Sequence, residues 1–299
     1  GSPIPEAVAG LTVLDLGCGT GRDCYVLSNL VGACGKVIGV DMTEEQLEVA
    51  RRAVDSMTKK YGYSAPNVDF RSGKIEDLVA CGIEDDSVDI VLSNCVLNLS
   101  PDKERVFSEI FRVLKPGGEL YFSDVYADRR IPEKLQNDPV FRGECLGGAL
   151  YFEDFRRLLN RYGCNDYRVI TKTEIDLNNA AIAEQAGCMQ FYSMTVRAFN
   201  LEVLEDCEED YGQIATYLGT APGRPHGFTL DEEHVFETGR PERVSGNTAA
   251  MLNETRFQKY FDVIGSRARH FGPFEASSAA MTKLPGGESS GKSSGGSCC

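Results

Sequence analysis

Histidine is scarce. Only His226, His234 and His270 occur in 299 residues, and none stands in an HExxH or Cys2His2 spacing. No CxxC…CxxC pattern occurs either, so the sequence offers no ligand spacing for a structural zinc site. Long apolar runs are also missing. No stretch approaches the ~20 residues that a membrane-crossing helix needs, and no signal-peptide pattern stands at the front. Basic residues are outnumbered, 31 lysines and arginines against 45 aspartates and glutamates, for a formal net charge of −14. Such a balance repels phosphates and argues against a nucleic-acid or anionic-membrane partner. A cytoplasmic protein is expected.

Cysteine, by contrast, is plentiful, with eleven in the chain. In a leaderless, cytosol-like sequence these are not expected to build a disulfide framework. The ordinary fate of a free cysteine is to be a small buried hydrophobe. That reading suits Cys18, Cys24 and Cys95 beside the expected ligand loops, although Cys95 is also open to a redox role. Cys34, Cys81, Cys164 and Cys207 read as incidental.

From Leu11 to Val125, strand-like runs alternate with helical spacing. "LTVLDLG", "KVIGVDM", "VDFRSGKI", "SVDIVLSNCVLNL" and "ELYFSDVY" read as strands. "RDCYVLSNLVG", "EEQLEVARRAVDSMTKKYG" and "PDKERVFSEIFRVLKPGG" read as helices, the last stopped by Pro-Gly-Gly. This alternation predicts an α/β fold with a doubly wound, mostly parallel sheet over residues 1–127. After Tyr126 the rhythm changes to short helices broken by Pro and Gly. The strands "YRVITKTEI", "FYSMTVRAF", "YGQIATYLG" and "GFTLDEEHVFETG" follow, then a helix over "TAAMLNETRFQKYFDVIG". Residues 128–272 are therefore expected to form a second, mixed α/β domain. Residues 273–299 read as a Gly/Ser-rich tail without a core, ending Cys298 and Cys299.

The stretch "DLGCGTGRDC" sits where the first strand turns into the first helix. Its Gly17, Gly19 and Gly21 give GxGxG, which lets backbone approach a ligand closely. Asp41 follows at the end of the second strand, twenty residues beyond Gly21. A carboxylate there can take both hydroxyls of an adenosine ribose. A dinucleotide fingerprint would want glycine at position 22, which is Arg22, and Asp15 ahead of the loop suits a sulfonium ligand bearing an amino group. S-adenosylmethionine is the better reading and NAD the weaker. Ile75 and Glu76 after the third strand could sandwich and bond an adenine, though Ile75 is explained equally well by core packing. Asn94 ends the fourth strand, at the carboxyl edge where such sheets bind ligands. The cofactor set is thus Asp15, Gly17, Gly19, Gly21, Asp41, Met42, Ile75, Glu76 and Asn94.

Together with "GVDMTEEQLEVA", "SNCVLNLSPDKERVF" and "RVLKPGGELYFSDVY", the loop resembles many class I methyltransferases, including quinone-ring methylating ones. The stretch "FRGECLGGALY" and the Cys-Cys tail narrow the resemblance to the arsenite S-adenosylmethionine methyltransferases. That resemblance implies arsenic(III) held by three thiolates, one matching Cys145 and a second matching Cys188 in "AGCMQFYSMTVRAF". The family's third thiolate, a tyrosine near the cofactor and a redox-partner cysteine lie ahead of a "GSPIP"-like stretch, at which this sequence starts. The chemistry is consistent, because soft thiolates select a soft, thiophilic centre. Arg129, Arg130 and Arg142 are the nearby cations available to Cys145.

The implied activity is methylation of arsenite and methylarsenite to mono-, di- and trimethylated arsenicals. A thiol reductant such as glutathione or thioredoxin would sustain it, and the chain is expected to be a monomer. Two rivals stay open at this point. One is a small-molecule C- or O-methyltransferase of the quinone-biosynthetic type. The other is a non-enzymatic thiol-based metalloid-binding protein, against which the intact glycine loop and Asp41 argue.

Overall fold

The glycine-terminated apolar run at Thr12 forms the first strand of a computed structural model in which residues 3–274 are described. The elements then alternate: β1 (Thr12–Leu16), α1 (Arg22–Val31), β2 (Lys36–Asp41), α2 (Glu44–Arg52), α3 (Val54–Tyr61), β3 (Val68–Ser72), β4 (Val88–Asn94), α4 (Lys103–Val113) and β5 (Leu114–Ala127). β1 to β5 pair in parallel, with crossover helices between β1 and β2, β2 and β3, and β4 and β5. The single helix expected after Thr43 is interrupted at Ala53, whose N–H reaches back only three residues to the Ala50 carbonyl. Gly62 closes the second half in the left-handed conformation, φ 73°. α4 begins not at the proline but after Asp102, whose side chain accepts from the Arg105 N–H at 3.0 Å. It ends at Val113, ahead of the Pro-Gly-Gly that was expected to stop it; that tripeptide lies inside β5.

The chain continues through α5 (Glu133–Gln136), α6 (Pro139–Gly143), β6 (Leu150–Tyr151), α7 (Phe152–Arg161), β7 (Tyr167–Glu174), α8 (Ala180–Ala186) and β8 (Phe191–Phe199). Here the structure departs from the expected boundary at residue 127. β8 pairs antiparallel with β5, and β7 antiparallel with β8, giving one 8-stranded sheet in the order β3-β2-β1-β4-β5-β8-β7 with β6 also on β5. The change of rhythm after Tyr126 therefore marks a reversal of strand direction within this sheet. β8 covers what would otherwise be an open edge of β5, a strand buried along most of its length. Rings of Phe107, Phe122, Tyr126 and Phe155 interlock between this sheet and helices α4 and α7.

Beyond Phe199 lies a smaller unit: β9 (Glu209–Asp210), β10 (Gln213–Tyr217), β11 (Gly227–Thr229), β12 (Val235–Glu237), β13 (Pro241–Val244), α9 (Gly246–Asn253), β14 (Phe261–Ile264) and β15 (Gly272–Pro273). The helix expected over "TAAMLNETRFQKYFDVIG" is only half realised. Its second half becomes β14, which pairs antiparallel with β10 and carries Phe261 into the core. "GFTLDEEHVFETG" is likewise a hairpin of β11 and β12 rather than one strand. A buried ionic cluster joins the two units. Glu119 on β5, fully buried, meets Arg197 of β8 at 2.9 Å and Arg256 of the smaller unit at 2.5 Å, while Arg197 also reaches Glu6 at 3.2 Å.

Among the described residues no helix is long and apolar enough to cross a membrane. Cys298, Cys299 and nearly all of the expected tail lie outside the described residues.

Candidate active site

From β1 the chain steps to β2 and β3 on one side, then returns to β4 on the other. Such a reversal leaves a crevice beyond the carboxyl ends of β1 and β4, where open α/β sheets bind ligands. A cleft of about 820 Å³ opens there, walled by the loop after β1, the end of β2, residues 73–77 and the turn after β4.

The glycine loop forms its floor. Gly17, Gly19 and Gly21 have φ of 71°, 54° and 77°, a region that disfavours side chains. A Cβ on Gly17 would lie 2.4 Å from Val96, and one on Gly19 2.8 Å from Gln46, both residues of the cleft wall. Gly21 is different. A Cβ there would strike the Phe70 ring at 2.7 Å, so this glycine serves helix–sheet packing, and it does not line the cleft.

Asp41 ends β2 at the cleft wall. One of its oxygens accepts from the Gly19 N–H at 2.9 Å and the other from the Thr43 N–H at 2.8 Å. The carboxylate thereby fixes the glycine loop against the start of α2 and keeps lone pairs for a ligand's hydroxyls. Exposed Met42, buried Ile75 and Glu76 line the same cleft. Glu76 accepts from the Ser100 hydroxyl at 2.5 Å, which ties the two sides together. Sequence reasoning did not single out Val96, Leu99, Ser100 or Arg105. Their signal lay in "SNCVLNLSPDKER", where an exposed Leu99 projects from a short 3-10 turn.

Two further expected cofactor residues stand outside the cleft lining. Asp15 is buried beneath the loop, where the Cys24 thiol donates to it at 3.2 Å. Burial pushes its carboxyl up to about 7, with Asp23 and Asp41 adding to the shift. Asn94 sits at the end of β4 in register with Ser123 of β5.

The turn after β4 is clamped to β5. Asp124 accepts from the Asn98 N–H at 3.1 Å and from its side-chain amide at 2.7 Å. Burial raises the Asp124 carboxyl to about 6, against the opposing pull of its hydrogen bonds and Lys103. The loop carrying Cys145 lies on this turn, because a Cβ on Gly148 would come within 2.0 Å of the Asn98 carbonyl oxygen. Cys145 is half-buried with φ 60°, and its thiol is pushed up by burial, then by Asp124 and Glu144.

Cys188 is exposed just before β8. Arg129 donates to its sulfur at 3.1 Å while pairing with Asp128, so this arginine serves Cys188 rather than Cys145. Arg130 is engaged with Asp154. Cys145 and Met189, the neighbour of Cys188, pack against one apolar cluster around Phe141 and Phe191. The two segments thus share a support. Among the described residues, no three cysteine, histidine or carboxylate side chains gather into a ready-made metal site. Cys18 and Cys24 are buried, as expected of small hydrophobes; Cys81 and Cys164, read as incidental, are buried too, and Cys81 backs Gly73 at the cleft. Cys95 does not follow that expectation: it is exposed, with φ 56°.

These residues fit an adenosyl cofactor: side-chain-free backbone on the floor, a strand-end carboxylate for the ribose, and apolar Ile75, Met42 and Leu99 about a flat ring. Residues 7–172 match the family described as a methyltransferase domain, and residues 211–299 that described as the arsenite methyltransferase C-terminal domain. An arsenite methyltransferase of Aquipseudomonas alcaligenes is 50% identical over 99% of this chain and 84% of its own length. The arsenite methyltransferase of Mus musculus is 44% identical over 87% of this chain and 69% of its own. The crystal structure of an arsenic(III) S-adenosylmethionine methyltransferase from Chlamydomonas reinhardtii superposes with a TM-score of 0.89 at 51% identity, covering 92% of each chain. The chain belongs to the arsenite methyltransferase family.

Proposed function

We propose that this protein transfers the methyl group of S-adenosylmethionine to trivalent arsenic held by Cys145 and Cys188. The observation that carries the reading is the meeting of two features at one sheet edge. The glycine-floored cleft with Asp41 opens beside the turn after β4, and the Cys145 loop rests on that turn. Bound S-adenosylmethionine supplies an electrophilic methyl on a sulfonium, with a neutral thioether as leaving group.

This chain's residues bind and align. Asp41, Met42, Ile75 and Glu76 hold the adenosine, while Gly17 and Gly19 let the loop approach the rest of the cofactor. The Cys145 and Cys188 thiols exchange their protons for As–S bonds and release water from the arsenical, leaving its lone pair free to attack. No general base is required for the transfer, so the work of the site is orientation. Arg129 orients Cys188 from the Asp128 side. Arsenite and methylarsenite are the substrates, a thiol reductant such as glutathione or thioredoxin keeps arsenic trivalent, and the protein acts in the cytoplasm as a monomer.

The test is a calorimetric titration of S-adenosylmethionine in the presence and absence of arsenite. Binding of both ligands at once supports the reading. Cofactor binding without arsenic binding would favour a quinone-type methyltransferase, and arsenic binding without cofactor a sequestration protein.

A further inference from the structure

Asp15 is a poorly provided carboxylate. It lies near the end of β1, two residues before Gly17 of the cleft lining, and is buried beside the apolar layer that Val13, Leu27 and Val31 build under α1. An ionised carboxylate can accept about four hydrogen bonds, and burying one is costly unless its oxygens are met by donors or a cation. Among the described residues the one hydrogen-bond donor to Asp15 is the Cys24 thiol, at 3.2 Å. Cys24 stands in the first turn of α1 and is itself fully buried.

The neighbouring strand makes room for that thiol. Gly39 of β2 is in register with Asp15, and its φ is not positive, so its backbone does not require glycine. Space requires it: a Cβ there would lie 2.8 Å from the Cys18 sulfur and 2.9 Å from the Cys24 sulfur. The two sulfurs fill the place of a side chain between β2 and α1. A hydrogen bond with Cys18, then burial, then the charge of Asp15 push the Cys24 thiol well above its ordinary range, so it remains a donor at neutral pH. For Asp15 the balance is closer. Burial lifts its carboxyl to about 7, the bond from Cys24 holds it down, and the charges of Asp23 and Asp41 lift it further. Its ionisation near neutral pH hangs on one thiol.

We propose that Cys24 is a positioning residue for the cofactor: its thiol, backed by Cys18, holds one oxygen of Asp15 and leaves the other for the ammonium group of S-adenosylmethionine. The proposal rests on the cofactor part of the proposed function and deepens it. The ammonium is the cation that this buried carboxylate lacks, and the glycine loop above it has no side chain at Gly17 or Gly19 to stand between them. Cys24 acts through Asp15 on binding and takes no part in methyl transfer.

The experiment measures S-adenosylmethionine affinity from about pH 6 to about pH 8 for the parent, Cys24→Ala and Cys24→Ser, a range that brackets the Asp15 titration. Methylthioadenosine, which has the adenosine but no ammonium, is the second ligand and reports an intact cleft. Without the thiol, Asp15 keeps its proton to higher pH. Cys24→Ala should therefore bind S-adenosylmethionine about three- to tenfold more weakly than the parent at the acid end, and the deficit should shrink toward the alkaline end. Taking the ratio to the parent at each pH cancels the cofactor's own titration. Methylthioadenosine should bind parent and variant alike, serine should restore the parent profile as a donor in the same place, and in turnover the loss should fall on KM rather than kcat. A deficit that is the same at every pH, or the same for both ligands, would make the role of Cys24 structural and overturn the proposal, as would parent-like affinity throughout. Where alanine does not fold, the infrared S–H band that separates the parent from Cys24→Ser decides: it should shift as Asp15 ionises and again when S-adenosylmethionine binds, and a band that stays fixed overturns the proposal. A parent that binds methylthioadenosine and S-adenosylmethionine at no pH would overturn the proposed function itself.

Discussion

Replacing Asp41 by alanine should cripple cofactor binding, and the structure says by how much. The carboxylate makes two bonds inside the protein, to the Gly19 N–H at 2.9 Å and the Thr43 N–H at 2.8 Å. On the proposed reading it also takes the ribose hydroxyls of the bound cofactor. A charge-assisted hydrogen bond contributes about 1.5–3 kcal/mol, so losing the ribose contact alone costs about ten- to a hundred-fold in affinity. Freeing the Gly19 N–H loosens the loop as well, which places the expected effect at the upper end. Asp41→Asn keeps one acceptor oxygen and can hold Gly19 or the ribose but not both fully, so it should fall between parent and alanine. The assay is isothermal titration with S-adenosylmethionine, paired with a monomethylarsenite titration to confirm an intact thiol site. An alanine variant that binds cofactor as the parent does would remove Asp41 from the site and refute the reasoning.

The pH dependence of stability should change in Asp15→Asn. The folded carboxyl titrates near 7 against an ordinary value of 3.8, so the folded state holds a proton that the unfolded state releases. The parent therefore loses stability as pH rises from about 4 to about 7, and asparagine does not share that loss. The variant's melting temperature relative to the parent should rise between pH 5 and pH 7.5; a constant difference would place the Asp15 titration elsewhere. Glu119→Gln removes the buried carboxylate shared by Arg197 and Arg256, leaving Arg256 without an ion-pair partner and Arg197 with Glu6 alone, and should cost about 3–5 kcal/mol in denaturant unfolding. A loss below about 1 kcal/mol would show that water already reaches the cluster. Cys24→Ala removes a fully buried thiol that donates to Asp15, so it should cost roughly 1–3 kcal/mol while leaving most turnover. Loss of all activity with normal cofactor affinity would assign that thiol to the chemistry.

The parallel half of the sheet was legible because β1, β2, β4 and β5 are mostly buried apolar runs and helices follow β1, β2 and β4. β7 and β8 were read as strands, but their place in the same sheet was not, because β8 pairs with β5, which lies far away in sequence, and no local spacing reports the pairing. Strand β14 was hidden for a related reason: "FDVI" continues a helical spacing and becomes a strand only through pairing with β10. In the site, Gly17, Gly19 and Asp41 stood out because backbone approach and a strand-end carboxylate leave a local signature. Gly21 carries the same signature and answers to packing against Phe70, a contact that no local spacing reveals. Asp15 and its hydrogen-bonded partner Cys24 belong to the support under the loop rather than to the cleft wall. The pairing of Arg129 with Cys188 joins residues 59 apart in sequence. Cys95 is exposed in a left-handed turn, and nothing in the residue type announces either feature.

The most direct measurement of the central claim is methyl transfer itself. The chain is incubated with S-adenosylmethionine carrying a labelled methyl, monomethylarsenite and a thiol reductant, and the arsenicals are separated and counted. The account predicts labelled dimethylated arsenic from the parent and from Cys34→Ser, and none from Cys145→Ser or Cys188→Ser, all four binding the cofactor alike. Cofactor binding without any labelled arsenical from the parent, or transfer at the parent rate from both Cys145→Ser and Cys188→Ser, would contradict it.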